Sequence, residues 1–129
     1  MKTNHKLVLA VLAGVSIGVV CTTAIHAQQV KAPPAYVIGE VEVTDPATMQ
    51  QYGAKVPETL APFNHHFLVR GVKPLALEGE APKGLVVIAF DSVEQARRWY
   101  DSPAYEAIKP IRQSAAKSRL YIAEGVATQ

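Results

Sequence analysis

Two adjacent imidazoles, His65 and His66, stand just ahead of Arg70, and a second arginine, Arg112, lies near the end of the 129-residue chain. Paired imidazoles invite metal ligation or general-base chemistry. Consecutive residues of a strand point to opposite faces, however, so one site does not easily use both, and a solvated pair in a loop is the simpler reading. A metal held by one of them, His66 for instance, would also need a carboxylate such as Glu78, and no spacing supplies it. Arg70 and Arg112 have the chemistry to clamp a carboxylate or an enolate. Against that stands an internal ion pair with Glu78, Glu40 or Glu124. Tyr52, Trp99, Tyr100 and Tyr105 offer aromatic walls and phenolic hydroxyls to a small planar ligand, although at helical spacing such residues more commonly build a core.

Other chemistries lack their residues. There is no glycine-rich phosphate loop, no paired-cysteine metal motif and no nucleophile beside a base at a recognisable spacing. Dinucleotide, nucleoside triphosphate and zinc-finger readings fall away. A small pocket with no cofactor and no resident metal is what these residues leave.

The elements that must position them follow from patterning. Leu85 to Phe90 is an unbroken apolar run between Gly84 and Asp91, as expected of a strand buried on both faces at the centre of a sheet. Ser92 and Gln95 then form a capping box, so the chain turns from strand straight into a helix with Val93, Ala96, Trp99 and Tyr100 on its buried side. Ser102-Pro103 stops that helix and starts a further turn or two, limited by Pro110. Upstream, Tyr36 to Val43 alternates as a strand. Asp45-Pro46 starts a helix to about Leu60, whose stripe is Met49, Tyr52, Val56, Leu60 and Phe63, with a kink or early end at Pro57. His66 to Arg70 is a short strand, Gly71 permits a bulge, and Pro74 to Glu78 is a second extended piece. Arg119 to Glu124 makes the last strand. The order is a split β-α-β-β-α-β plan, an α+β ferredoxin-like sandwich with both helices on one sheet face. Tyr36 and Ile38 make the other face too apolar to leave in water, which predicts a homodimer packed sheet against sheet.

Residues 1–27 have another purpose. Lys2 and Lys6 precede an apolar run from Leu7 to Val20, the pattern of a secretory signal with cleavage after Ala27. The run is shorter than the roughly 20 residues that comfortably span a bilayer, so a signal retained as an uncleaved anchor is the lesser alternative; after cleavage no stable membrane insertion is expected, and the mature chain is periplasmic or secreted. Cleavage removes two of the 13 basic residues and leaves 11 against 11 acidic ones. A neutral domain has no electrostatic footprint for nucleic acid. The only cysteine, Cys21, leaves with the signal. Residues 28–35, with Pro33-Pro34, form a flexible lead-in to one domain over 36–126.

Tyr36-Val37-Ile38 with Asp45-Pro46, Phe67-Leu68-Val69-Arg70-Gly71, Leu77-Glu78-Gly79 and Trp99-Tyr100-Asp101-Ser102-Pro103-Ala104-Tyr105, followed by Ile108, Pro110 and Arg112, closely resemble the bacterial domain of unknown function (DUF) 1330 family. The resemblance implies a ferredoxin-like subunit that pairs into a dimeric α/β barrel. His65-His66 depart from the small residues typical of the family at that point. The superfamily holds cofactor-free monooxygenases, haem-degrading enzymes, lactone isomerases and plain binding modules, so the fold narrows the reaction hardly at all. The expectation is an exported homodimer with one small apolar pocket per subunit, in which Arg70 anchors an anionic group beside Tyr52, Trp99 and Tyr105. Chemistry there would be cofactor-free oxygenation or isomerisation. A non-catalytic binding or interaction module, with its aromatic residues packed and no cavity, is the alternative, and a haem or metal protein using His65 or His66 is a third reading.

Overall fold

The computed structural model describes residues 30–128; the segment expected to be a signal, the expected cleavage point and Cys21 lie outside the described residues. The chain runs β1 (Ala35–Val43), α1 (Pro46–Leu60), β2 (His65–Val72), β3 (Leu85–Phe90), α2 (Val93–Tyr100), α3 (Pro103–Ala115) and β4 (Ala116–Glu124). The four strands form one antiparallel sheet in the order β2-β3-β1-β4, so each helical crossover skips over one strand, as the ferredoxin-like plan requires.

Local chemistry sets the helix starts. Asp45 caps α1 by accepting from the Thr48 amide at 3.2 Å, Ser92 caps α2 by accepting from Gln95 at 3.2 Å, and Ser102 caps α3 by accepting from Tyr105 at 3.3 Å. Pro46 and Pro103 follow their caps, where a missing amide costs nothing. Interior prolines do not end either helix. α1 continues through Pro57, whose carbonyl accepts from Ala61 at 3.1 Å, so the early end expected there does not occur. α3 runs for 13 residues through Pro110, well beyond the turn or two expected, because Tyr105, Ile108, Arg112 and Ala115 form a buried stripe along its whole length.

The register separates the two sheet faces. Val37, Ile88 and Phe90 lie on the helix side and enter the core with Val56, Leu60, Ala96, Trp99, Tyr105 and Ile108. Tyr36 and Ala89 are partners on the opposite side, as are Ile38, Val87 and Tyr121, and none of these five is fully buried. Three further expectations are corrected. Pro74 to Glu78 is not a strand: β2 is already the sheet edge, Pro74 lacks an amide for a ladder, and Leu75 and Leu77 stand 88% and 91% exposed in the connecting loop. Val93 is 37% exposed, a turn too early in α2 to reach the aromatic cluster that Trp99 joins. β4 starts at Ala116 rather than Arg119, because its first residues pair with the end of β1, Ala116 against Val43.

Candidate functional site

A cavity of about 240 Å³ lies between the helices and the sheet. Its floor is the middle of β1, where Val37 and Val41 flank Gly39. A glycine inside a strand leaves a gap in the side-chain layer. A Cβ at Gly39 would meet only ordinary contacts, Leu120 at 3.7 Å and Val41 at 3.8 Å, so the gap is open space rather than a close backbone approach. Val86, Ile88 and Leu120 extend the apolar floor, and Met49, Tyr52 and Val56 of α1 form the roof.

The inner wall is aromatic. Trp99 stacks against Tyr105 with ring centres 4.2 Å apart and against Phe90 at 5.6 Å, and its indole Nε1 donates to Thr59 Oγ1 at 3.0 Å. Tyr52 meets Tyr105 edge-on, and their hydroxyls share a hydrogen bond of 2.9 Å. Burial is the main cause that holds the Tyr52 phenol well above its ordinary pKa of 10.0; Tyr105 reinforces it and the nearby Arg112 guanidinium opposes it. Tyr52 therefore stays a neutral hydroxyl rather than a phenolate base. A raised acid pKa in the fold means that the unfolded chain loses its proton first, so stability is fully present below pH 10 and falls as pH rises beyond it. Thermal or denaturant unfolding between pH 9 and 11 is expected to show a loss on the order of 1 kcal/mol per pH unit above pH 10 that Tyr52→Phe removes. An unchanged slope in the variant would assign the alkaline loss to other tyrosines.

The two arginines reach the cavity by different routes. In β2, Phe67 pairs with Ile88, Val69 with Val87 and Arg70 with Val86, a register shift that inserts one residue. Without that bulge Arg70 would alternate onto the bare face; with it, Arg70 turns to the helix side. Its guanidinium lies 4.6 Å from the centre of the Phe67 ring, in an exposed position at the cavity rim. Arg112 comes from α3 and is only 5% exposed. Nη1 donates to Ser118 Oγ, and Nε is enclosed without a hydrogen-bond partner. Neither arginine makes an ion pair among the described residues, and Glu40, offered above as a partner, binds Arg119 at 2.7 Å.

The fold thus brings Tyr52, Arg70, Trp99, Tyr105 and Arg112 around one cavity and leaves His66 and Glu78 outside it. His66 borders a separate recess with Asn64 and Asp91, whose side chains bond to each other at 2.9 and 3.1 Å, and Glu78 is exposed in the loop after β2. The histidines are not a loop pair. They open β2 on opposite faces, with the His65 Nδ1–H donating to the Phe63 carbonyl at 2.9 Å. No group of three or more His, Cys, Asp or Glu side chains able to hold a metal occurs among the described residues. A wider and more open depression of about 430 Å³, lined by Glu40, Glu42, Glu80, Lys83, Lys117 and Arg119 with Val41, Ala81 and Pro82, is a surface of mixed charge with a smaller apolar share than the cavity. The patterning passed over Gly39, although a glycine inside an alternating strand was a visible signal.

Residues 34–126 match the model of the family described as "Domain of unknown function (DUF1330)". The chain belongs to this family. Among solved structures, the fold is shared by a protein of unknown function from Rhodopseudomonas palustris, 18% identical, with a TM-score of 0.60 over 73% of this chain and 83% of that one. SnoaB, a cofactor-independent oxygenase from Streptomyces nogalater, is 14% identical with a TM-score of 0.54, over 75% of this chain and 97% of its own. A dimeric ferredoxin-like protein of unknown function from Thermobifida fusca is 18% identical with a TM-score of 0.52, over 73% of this chain and 92% of that one. At these identities the likeness concerns the fold alone. No curated protein matches the chain. No helix among the described residues is long and apolar enough to cross a membrane.

Proposed function

We propose that this DUF1330 protein is an exported homodimer that binds a small organic molecule in the cavity between helices and sheet. The observation that carries the reading is the cavity itself: about 240 Å³ of apolar space beside a hydrogen-bonded phenol pair and a buried guanidinium. The homodimer is supported by the apolar sheet face and by the dimeric neighbour from Thermobifida fusca. Export rests on the charged and apolar runs of residues 1–27. Any turnover in the cavity would be cofactor-free oxygenation or isomerisation, and the oxygenase SnoaB has the same fold.

A non-catalytic binding module is the second reading, favoured by one observation. The cavity lining contains no carboxylate, imidazole, thiol or amine, so a group able to take a substrate proton at neutral pH is missing from it. Cofactor-free oxygenation there would have to start from a substrate that arrives already ionised.

Native mass spectrometry of mature protein taken from the producing cell's envelope tests the proposal. Two chains carrying a reproducible small-molecule adduct are expected, and Gly39→Val should keep the dimer but lose the adduct, because its side chain projects into the cavity. A bare single chain would overturn both the dimer and the pocket. An adduct that survives Gly39→Val would place the ligand elsewhere.

A further inference from the structure

Arg112 is the one charged residue buried among the described residues, and no carboxylate meets it. Taking a cation out of water without an opposite charge is strongly unfavourable, so such a group calls for an explanation. Its surroundings deepen the asymmetry. Ser118 Oγ occupies Nη1, while Nε–H, which is enclosed, has no hydrogen-bond acceptor. Beside it, the Tyr52–Tyr105 bond uses one of two phenolic protons and leaves the other without an acceptor among their described partners. This end of the cavity therefore has donors and positive charge in excess, and no carboxylate among the lining side chains answers them.

We infer that the guest is a compact organic carboxylate, a single-ring or short branched acid, whose oxygens are met by Arg112 Nε–H and the Tyr52–Tyr105 hydroxyl pair. The apolar floor around Gly39 takes its hydrocarbon body. The size follows from the volume, about 240 Å³, which lies below the roughly 300–1,000 Å³ of pockets for drug-sized ligands. Arg112 rather than Arg70 reads the charge. Arg70 is exposed to water and already stacked on Phe67, so an anion there would meet a hydrated and screened partner. The inference rests on the cavity being a ligand site and adds the class of ligand.

The chain carries its own reporter, since its single tryptophan, Trp99, lines the cavity. Titrating mature wild-type protein with benzoate and with the neutral isostere benzamide, followed by Trp99 fluorescence, is expected to show benzoate binding about 10- to 100-fold more tightly, as hydrogen bonds to a charged group would give. Arg112→Met should abolish that preference while its melting temperature is unchanged or raised, because an unanswered buried charge has been replaced by apolar volume. Arg70→Met should retain the preference. Equal binding of the two probes would overturn the carboxylate assignment and leave the cavity reading standing, and a preference lost in Arg70→Met but kept in Arg112→Met would overturn the assignment of the charge to Arg112. Binding of neither probe to the wild type would remove both. The wild-type comparison decides the matter even where Arg112→Met does not fold.

Discussion

Trp99→Ala is expected to cost about 3–5 kcal/mol of folding stability, enough to consume much of the roughly 5–15 kcal/mol typical of a domain this size. Trp99 is 1% exposed and ties α2 to three other elements. Its ring lies between Phe90 of β3 and Tyr105 of α3, at 5.6 and 4.2 Å, and its Nε1–H reaches back to Thr59 of α1. Truncation opens a large void beside an existing cavity, where the walls have little means to collapse. Trp99→Phe separates the contributions. It keeps an aromatic ring in the stack and loses the bond to Thr59 Oγ1, whose hydroxyl still donates to the Val56 carbonyl at 2.8 Å, so a loss nearer 1–2 kcal/mol is expected. Urea unfolding of the three proteins at neutral pH measures both steps. A loss under about 1.5 kcal/mol for Trp99→Ala would mean that the aromatic cluster is loosely packed and that its shape does not define the cavity.

What the sequence made legible was chiefly local. Asp45-Pro46, Ser92 with Gln95, and Ser102-Pro103 carry their own hydrogen-bond partners within one turn, and all three helices begin where those residues place them. The apolar run Leu85 to Phe90 needs two strand neighbours, and it has β1 and β2. The order of elements alone pointed to the ferredoxin-like plan, and the sheet has it. Features that depended on distant residues were hidden. The length of α3 comes from burial along a stripe extending to Ala115, which outweighs the local effect of Pro110. The side on which Arg70 emerges depends on a register shift against β3, and glycine at position 71 only hinted at irregularity.

The site shows the same division. Tyr52, Trp99 and Tyr105 were candidates by residue type, and their convergence follows from α1 and α3 packing side by side over the sheet. The ion pair weighed for Arg112 was a reasonable expectation, because a buried guanidinium ordinarily has a carboxylate partner. Its absence is a three-dimensional fact. Ser118, six residues along, is a polar neighbour that sequence offers no reason to single out. His66 and Glu78 were attractive by chemistry alone, yet an outward strand position and an exposed loop separate them from the cavity.

Ile38→Lys is expected to convert the proposed homodimer to a monomer, weakening association more than about 1,000-fold, or roughly 4 kcal/mol. Ile38 sits at the centre of the bare sheet face, in register with Val87 on one side and Tyr121 on the other. Packing two such faces together would desolvate the ammonium among apolar side chains, and the two-fold relation would bring a second like charge to the same place. In the isolated subunit the position is only half-buried, so the new side chain can extend into water and the domain should keep its fold. Sedimentation velocity at micromolar protein, with circular dichroism as the folding control, distinguishes these effects. A dimer that persists in the folded variant would show that subunits meet through another surface, such as the exposed Leu75 and Leu77 loop. The monomer also bears on the cavity. Every wall described above comes from one chain and lies on the opposite side of the sheet, so a folded monomeric Ile38→Lys protein should still bind benzoate with near wild-type affinity. Loss of binding on dissociation would instead mean that the partner subunit completes the cavity.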